Sequence, residues 1–127
     1  FNLPSDFVIH TPGPVGEDPE RLAMCYRNVL DRCRERRIRT VAFCCISTGL
    51  FGYPADRAAK VAVSTVQRWL NEVEVKIKTS IPHDDGNIPP PMPLPPLDRV
   101  VFNVFLDTDA RIYDKLLGPS EQVTSIT

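Results

Sequence analysis

The sequence predicts an α/β domain built on a mainly parallel sheet. Three short segments rich in Val, Ile and Phe alternate with three amphipathic helix patterns, in the order β-α-β-α-β-α. This alternation is typical of parallel strands joined by right-handed helical crossovers, and such a sheet needs cover on both faces. At 127 residues the chain has room for one small domain.

The first predicted strand and helix lie near the start of the chain. Phe7 to His10 has the composition of a short buried strand, which TPGP at residues 11–14 ends because proline cannot continue a ladder. A helix is expected from Pro19 to about Arg36, with Asp18 as its N-cap. Six residues recur at helical spacing and form its apolar face: Leu22, Cys25, Tyr26, Val29, Leu30 and Cys33.

The second predicted strand, Val41 to Ile46, leads through the loop Ser47 to Tyr53 into a second helix. Pro54 suits the first turn of that helix. Its core-facing residues are Ala58, Ala59, Ala62, Val63, Val66, Trp69 and Leu70.

A proline-rich stretch separates this helix from the last strand and helix. The stretch from Lys78 to Leu97 has no periodicity, and PPPMPLPP at residues 89–96 predicts extended or polyproline II backbone. A third strand is expected at Val100 to Leu106, and Asp107-Thr108-Asp109 is expected to cap a short final helix. Gly118-Pro119 suits the end of that helix.

The loop Ser47 to Tyr53 has the features of a phosphate site. Its two glycines allow close backbone approach, free N–H groups can point outward, and the dipole of the following helix favours negative charge. Many α/β proteins have such turns without a ligand, so the loop alone is a weak signal.

Five ordered blocks strongly resemble the macrodomain family. They are FVIHTPGPV (7–15), CYRNVLDRC (25–33), VAFCCISTGLFGYP (41–54), AAKVAVSTV (58–66) and VVFNVFLDTDARIYDKLL (100–117). The resemblance implies a three-layer α/β/α fold, with 1–117 as part of a macrodomain, 78–98 as a proline-rich loop insertion and 118–127 as a tail. Family members carry three further segments ahead of the point that matches Phe1, so we expect this chain to be the C-terminal part of such a domain.

The resemblance also implies which residues hold a ligand. Macrodomains bind ADP-ribose, and the matching phosphate loop is Ser47, Thr48, Gly49, Leu50, Phe51, Gly52 and Tyr53. Backbone N–H groups of this loop are expected at the diphosphate, with Phe51 beside the distal ribose. Asn103 and Phe105 lie at the C-terminal end of the last predicted strand and are candidates for binding the adenosine half of the ligand. The alternative is that Phe105 is a core residue and that Asp107 is only a helix cap.

Three functions remain open at this point. By resemblance, the chain belongs to a protein mono-ADP-ribose hydrolase, in which the diphosphate and loop backbone position a water against the distal ribose. Catalytic residues are not assigned, because the segments that the family uses for catalysis are not in the chain. The alternatives are a non-catalytic reader of ADP-ribosylated proteins and an inactive fragment that is unstable or binds weakly by itself.

The net charge and the cysteine content limit which partners, compartment and metal ions fit the chain. A net charge of -1 gives no general attraction to nucleic acid or anionic membrane. Four cysteines without CxxC spacing fit reduced thiols in the cytoplasm or nucleus. AFCCISTG also resembles the zinc-containing branch of the family, whose metal ligands would lie upstream, so no metal or other cofactor is assigned here.

Several other residues could be given a functional role, but a structural or solvent-exposed role is the simpler interpretation for each. His10 and His83 are expected to be structural and solvated, respectively. Cys44 and Cys45 are expected to pack rather than react, and the basic run 32–39 is expected to be a solvated face. PxxP at 89–96 could meet a polyproline-binding module, although a passive insertion is the simpler interpretation.

Overall fold

The computed structural model describes residues 2–79 and 97–118. Three helices and two strands lie in these ranges: α1 (Pro19–Glu35), β1 (Thr40–Phe43), α2 (Ala55–Thr79), β2 (Arg99–Phe102) and α3 (Asp107–Leu117). None of these helices combines the length and the apolar character needed to cross a membrane.

Helix α1 begins as the sequence predicts. The Asp18 carboxylate accepts a hydrogen bond from the backbone N–H of Arg21 at 3.1 Å, and Pro19 occupies the first turn. This cap satisfies one of the N–H groups that a helix start leaves without a partner. All six residues of the predicted apolar face are buried, with Leu22, Leu30 and Cys33 fully inaccessible.

The two strands form a parallel pair with a buried and an exposed face. Val41 lies opposite Val100 and Phe43 opposite Phe102. Phe43 and Phe102 are buried and connect aromatic rings of α1 and α3, since Tyr26 lies 4.9 Å from Phe43 and Tyr113 lies 5.0 Å from Phe102 between ring centroids. On the other face Ala42 and Val101 are exposed, so the described residues cover one face of the pair.

Helix α2 packs against both α1 and α3. Its predicted stripe is confirmed, because Ala58, Ala59, Ala62, Val63, Val66 and Trp69 are buried and Leu70 is partly buried. The indole N–H of Trp69 donates to Asp31 of α1 at 2.8 Å, which satisfies a polar group that the burial of Trp69 would otherwise leave without a partner.

The predicted strand at Phe7 to His10 is wrong. Residues 7–14 form neither helix nor strand, and Phe7 and Val8 are 56% and 61% exposed. A strand needs a neighbour for its backbone hydrogen bonds, and within the described ranges β1 pairs with β2 alone. The described order is therefore α-β-α-β-α.

The two remaining strands are shorter than predicted. Pairing ends at Phe43 and Phe102, after which the N–H of Asn103 donates to the carbonyl of Phe43 at 2.7 Å. Both predicted strands therefore extend too far toward the C-terminus, the first at Val41 to Ile46 and the second at Val100 to Leu106. The apolar residues beyond the pairing belong to the loops that leave the sheet.

The start of α3 also differs from expectation. Leu106 is the N-cap and provides no side-chain hydrogen bond, so the predicted cap by Asp107-Thr108-Asp109 is wrong. Asp107 and Asp109 lie in the first turn, where their charge still favours the helix dipole. Gly118 adopts φ 78° at the end of the helix, as predicted, while Pro119 and most of the proline-rich stretch lie outside the described residues.

Candidate functional site

The loop Ser47 to Tyr53 connects β1 to α2 as a compact turn. The N–H of Tyr53 donates to the carbonyl of Ser47 at 3.0 Å, and the N–H of Gly52 donates to the carbonyl of Gly49 at 3.0 Å. The Thr48 hydroxyl donates to the carbonyl of Cys45 at 3.1 Å. These three bonds close the loop on itself and leave its tip exposed.

The tip presents free backbone donors. Within the described part of the chain, the N–H groups of residues 48–51 have no hydrogen-bond acceptor. Ser47 and Gly52 bracket the tip at φ 66° and 72°, in the left-handed region that non-glycine residues rarely adopt. Helix α2 begins directly afterwards, and its dipole adds a positive end to the same surface. Free N–H groups at a helix N-terminus favour binding of an anion.

A second loop, formed by residues 11–16, packs against this one. The N–H of Gly16 donates to the carbonyl of Phe51 at 2.7 Å. Gly13 lies so close to the start of the loop that a β-carbon there would overlap the Ser47 hydroxyl and would lie 2.7 Å from the γ2 methyl of Ile46. Only glycine therefore fits at residue 13 without movement of a neighbour.

Sequence reasoning missed this second loop as part of the site. The segment TPGP at residues 11–14 is expected to end a strand and lies in a block that resembles the macrodomain family, but it is given no role in the site. The signal was present in the spacing of Gly13 and Gly16, because glycines in a short loop often mark a close approach of backbone to backbone or ligand.

An ion pair joins the same two regions. Nη1 of Arg57, in the first turn of α2, lies 2.7 and 2.9 Å from the two carboxylate oxygens of Glu17. Sequence reasoning missed this pair too, because residues 40 positions apart carry no spacing signal.

The candidates for the adenosine half lie at the same edge of the sheet. Because β1 and β2 run parallel, the segments that follow Phe43 and Phe102 leave the sheet side by side. The thiol of Cys45 contacts the carbonyl of Asn103 at 3.9 Å, which brings the two segments together. Phe105 is 95% exposed, so the alternative interpretation of Phe105 as a core residue is wrong.

The predicted loop residues are not all equally accessible. Leu50 is fully exposed and Phe51 is 44% exposed, whereas Tyr53 is buried. The Ser47 and Tyr53 hydroxyls are both buried without a hydrogen-bond partner among the described residues. Burial raises the pKa of Tyr53, and the negative charges of Glu17 and Asp18 raise it further.

The adjacent cysteines differ in exposure. All four cysteines are free, and Cys45 is partly buried, whereas Cys44 is exposed, so the predicted packing of Cys44 is wrong. Burial raises the pKa of Cys45 to about 11, with smaller contributions from Asp109 and Cys44. The Cys45 thiol is therefore protonated at neutral pH, in agreement with a packing role.

Two histidines and a basic run are the other polar candidates from the sequence. His10 is exposed, and His83 lies outside the described residues. Within the basic run, Arg32 pairs with Glu35 at 2.7 Å and Arg39 with Asp98 at 2.7 Å, which fits a solvated face. No group of three or more metal-binding side chains occurs in the described ranges.

Comparison with known proteins points to one family. The family model described as Macro domain matches residues 1–62. The structure superimposes on the Trypanosoma brucei macrodomain, solved in complex with ADP-ribose, with a TM-score of 0.72 and 32% sequence identity over 93% of this chain and 42% of that one. The chain is similar to macrodomains over most of its length.

Further similarities agree with this assignment. The Oceanobacillus iheyensis macrodomain with ADP superimposes with a TM-score of 0.71 and 31% identity, over 92% of this chain and 53% of that one. Human ADP-ribose glycohydrolase MACROD2 is 36% identical over 93% of this chain and 24% of its own length. The protein-ADP-ribose hydrolase of Treponema medium is also 36% identical, over 93% of this chain and 40% of its own length. The chain therefore spans about a quarter and two fifths, respectively, of the length of these two relatives.

The comparisons also support the α/β fold class. The macrodomain neighbours match over 93% and 92% of this chain, which itself has helices and a parallel strand pair. The expected macrodomain resemblance is thus confirmed.

Proposed function

We propose that the chain binds ADP-ribose, with the diphosphate on the loop Ser47 to Tyr53. The observation that carries this proposal is the run of free N–H groups at residues 48–51, directly before the N-terminus of α2. A diphosphate offers several acceptor oxygens and a negative charge, and both are complementary to such a surface. The structure of a macrodomain at 32% identity in complex with ADP-ribose supports the choice of ligand.

The two ends of the ligand are assigned to the segments on either side. The partly exposed ring of Phe51 is proposed to contact the distal ribose, and the exposed ring of Phe105 is proposed to stack on adenine beside Asn103. Stacking of a base on an aromatic ring contributes about 1–3 kcal/mol elsewhere. The loop 11–16 forms the second side of the diphosphate position, because Gly16 is hydrogen-bonded to Phe51.

We further propose that the chain acts within a hydrolase that removes mono-ADP-ribose from proteins. The relatives at 36% identity are named as ADP-ribose glycohydrolase and protein-ADP-ribose hydrolase, which supports this reaction class. The bound diphosphate would hold the distal ribose in place for attack by a positioned water, so catalysis would depend on orientation and electrostatics. The protonated Cys45 thiol does not favour a covalent mechanism.

Calorimetric titration of the full-length gene product with ADP-ribose tests binding. Phe105→Ala should weaken binding by about fivefold or more, because the stacked ring is lost. Met24→Ala is the matched control, since Met24 is also an exposed apolar side chain but lies on α1. No heat at millimolar ADP-ribose would overturn the proposed function, and equal affinity of both variants would overturn the role of Phe105.

A non-catalytic reader remains the alternative. Among the described residues, every group used in the proposal above contacts the ligand and none carries out a chemical step. A protein that binds ADP-ribose without hydrolysis would need only these groups. Release of ADP-ribose from a mono-ADP-ribosylated protein, followed by gel or mass spectrometry, separates the two. Binding without release would support the reader.

Several further predictions rest on the sequence alone. They are the domain extent of 1–117, the insertion at 78–98, the tail at 118–127, a cytoplasmic or nuclear location, and zinc held only by residues upstream of the chain. The PxxP segment at 89–96 lies outside the described residues, and its binding of a polyproline module remains a prediction.

A further inference from the structure

Glu17 and Arg57 form a charged bridge between the two loops of the site. One guanidinium nitrogen lies within 2.9 Å of both carboxylate oxygens. Hydrogen bonds between charged groups are stronger than neutral ones and hold their partners in a narrower geometry. The pair is exposed, at 60% for Arg57 and 39% for Glu17, so its effect on the stability of the whole fold is small.

The position of the pair is more informative than its strength. Glu17 directly follows Gly16, whose N–H donates to the carbonyl of Phe51. Arg57 lies four residues after Tyr53, in the first turn of α2. The chain around residues 11–17 is therefore attached to the loop 47–53 at two points. Gly16 binds Phe51 at the tip of the loop, and Glu17 binds Arg57 just beyond its end.

We propose that Glu17 and Arg57 are positioning residues that hold these two loops at the separation required by the diphosphate, and thereby determine how long ADP-ribose is retained. This inference rests on the proposed function. Without the bridge, the hydrogen bond between Gly16 and Phe51 and the close packing of Gly13 on Ser47 remain to hold the loops. The free N–H groups of residues 48–51 would then sample geometries that fit the ligand less well.

A direct attraction of the ligand by Arg57 is the competing explanation. It predicts the opposite response to Glu17→Gln, because loss of the carboxylate would free the positive charge of Arg57 for the diphosphate and strengthen binding. A bridge that positions the loops predicts weaker binding for the same variant. Both carboxylate oxygens of Glu17 already accept a hydrogen bond from the Arg57 guanidinium, so Arg57 has a partner other than the ligand, which favours positioning.

The chain contains a matched control for this pair. Arg39 and Asp98 also form two hydrogen bonds, at 2.7 and 3.0 Å, and are 64% and 49% exposed. They lie directly before β1 and β2, at the end of the strands opposite the site. Asp98→Asn thus removes an equivalent ion pair without touching either loop.

The experiment measures ADP-ribose affinity by calorimetry, and amide hydrogen exchange without ligand, in the full-length gene product. Glu17→Gln should raise the Kd by about two- to fivefold and speed exchange at Gly16, Gly52 and Tyr53, whose N–H groups are hydrogen-bonded in and around the loop. Asp98→Asn should leave both unchanged. The charge reversal Glu17→Arg with Arg57→Glu should restore affinity toward that of the wild type, because Glu at residue 57 also suits the first turn of a helix.

The outcomes separate the two proposals. No binding by the wild type would overturn the proposed function and, with it, the effect on retention. Binding by the wild type with unchanged exchange in Glu17→Gln would overturn the positioning role alone. Tighter binding by Glu17→Gln, or a charge reversal that fails to restore affinity, would show that Arg57 acts on the ligand directly.

Discussion

Replacement of Gly13 by alanine should damage the site through a steric overlap that the structure defines. The added β-carbon would overlap the Ser47 hydroxyl and lie 2.7 Å from the γ2 methyl of Ile46. Carbon atoms pack at about 3.5–4.0 Å, so one of the two segments has to move by about 1 Å. Overpacking of this kind costs about 1–3 kcal/mol of unfolding free energy. The movement would also displace the start of the loop 47–53, so ADP-ribose affinity should fall as well.

Gly49→Ala provides the control for Gly13→Ala. A β-carbon at residue 49 would meet no heavy atom within 4 Å, and the backbone there is outside the left-handed region. Its unfolding free energy should therefore be unchanged, or higher by up to about 1 kcal/mol because the unfolded chain loses entropy. Thermal unfolding of both variants measures the difference. Equal stability of the two variants would refute the close approach between residue 13 and Ser47.

Three further predictions concern stability. Asp18→Ala should lower the unfolding free energy by about 1 kcal/mol through loss of the α1 cap, measured by denaturant titration, whereas no change would mean that Arg21 N–H finds another acceptor. Tyr53→Phe should keep or raise the melting temperature, because it removes a buried hydroxyl without a partner, and a lower value would reveal a partner in solution. Since burial raises the pKa of Cys45 from 9.0 to about 11, the stability contributed by the protonated thiol is fully present below pH 9 and is lost toward pH 11. Cys45→Ala should therefore flatten the alkaline decline in stability, and an unchanged decline would contradict this cause.

The helices were predictable because their signals are local. In α1, Asp18, Pro19 and the six apolar positions all lie within one stretch of chain, and the cap and the buried face follow from them. The strands were less predictable. Phe7 to His10 has strand composition, yet no described strand lies beside it, and both observed strands end earlier than their apolar runs. A strand depends on a neighbour that can be far away in sequence, whereas a helix satisfies its own backbone.

The sequence by itself determined the resemblance to macrodomains, the α/β order of the observed elements and the loop Ser47 to Tyr53, because these depend on residue types in consecutive stretches. The tertiary structure decided what lies against that loop. Gly13 and Gly16 reach the loop, and Glu17 reaches Arg57 just beyond it, from a segment about 30–40 residues earlier in the chain. Such contacts form only when parallel strands and packed helices bring distant segments together. The spacing of Gly13 and Gly16 marks a close approach, but it does not show which segment they approach.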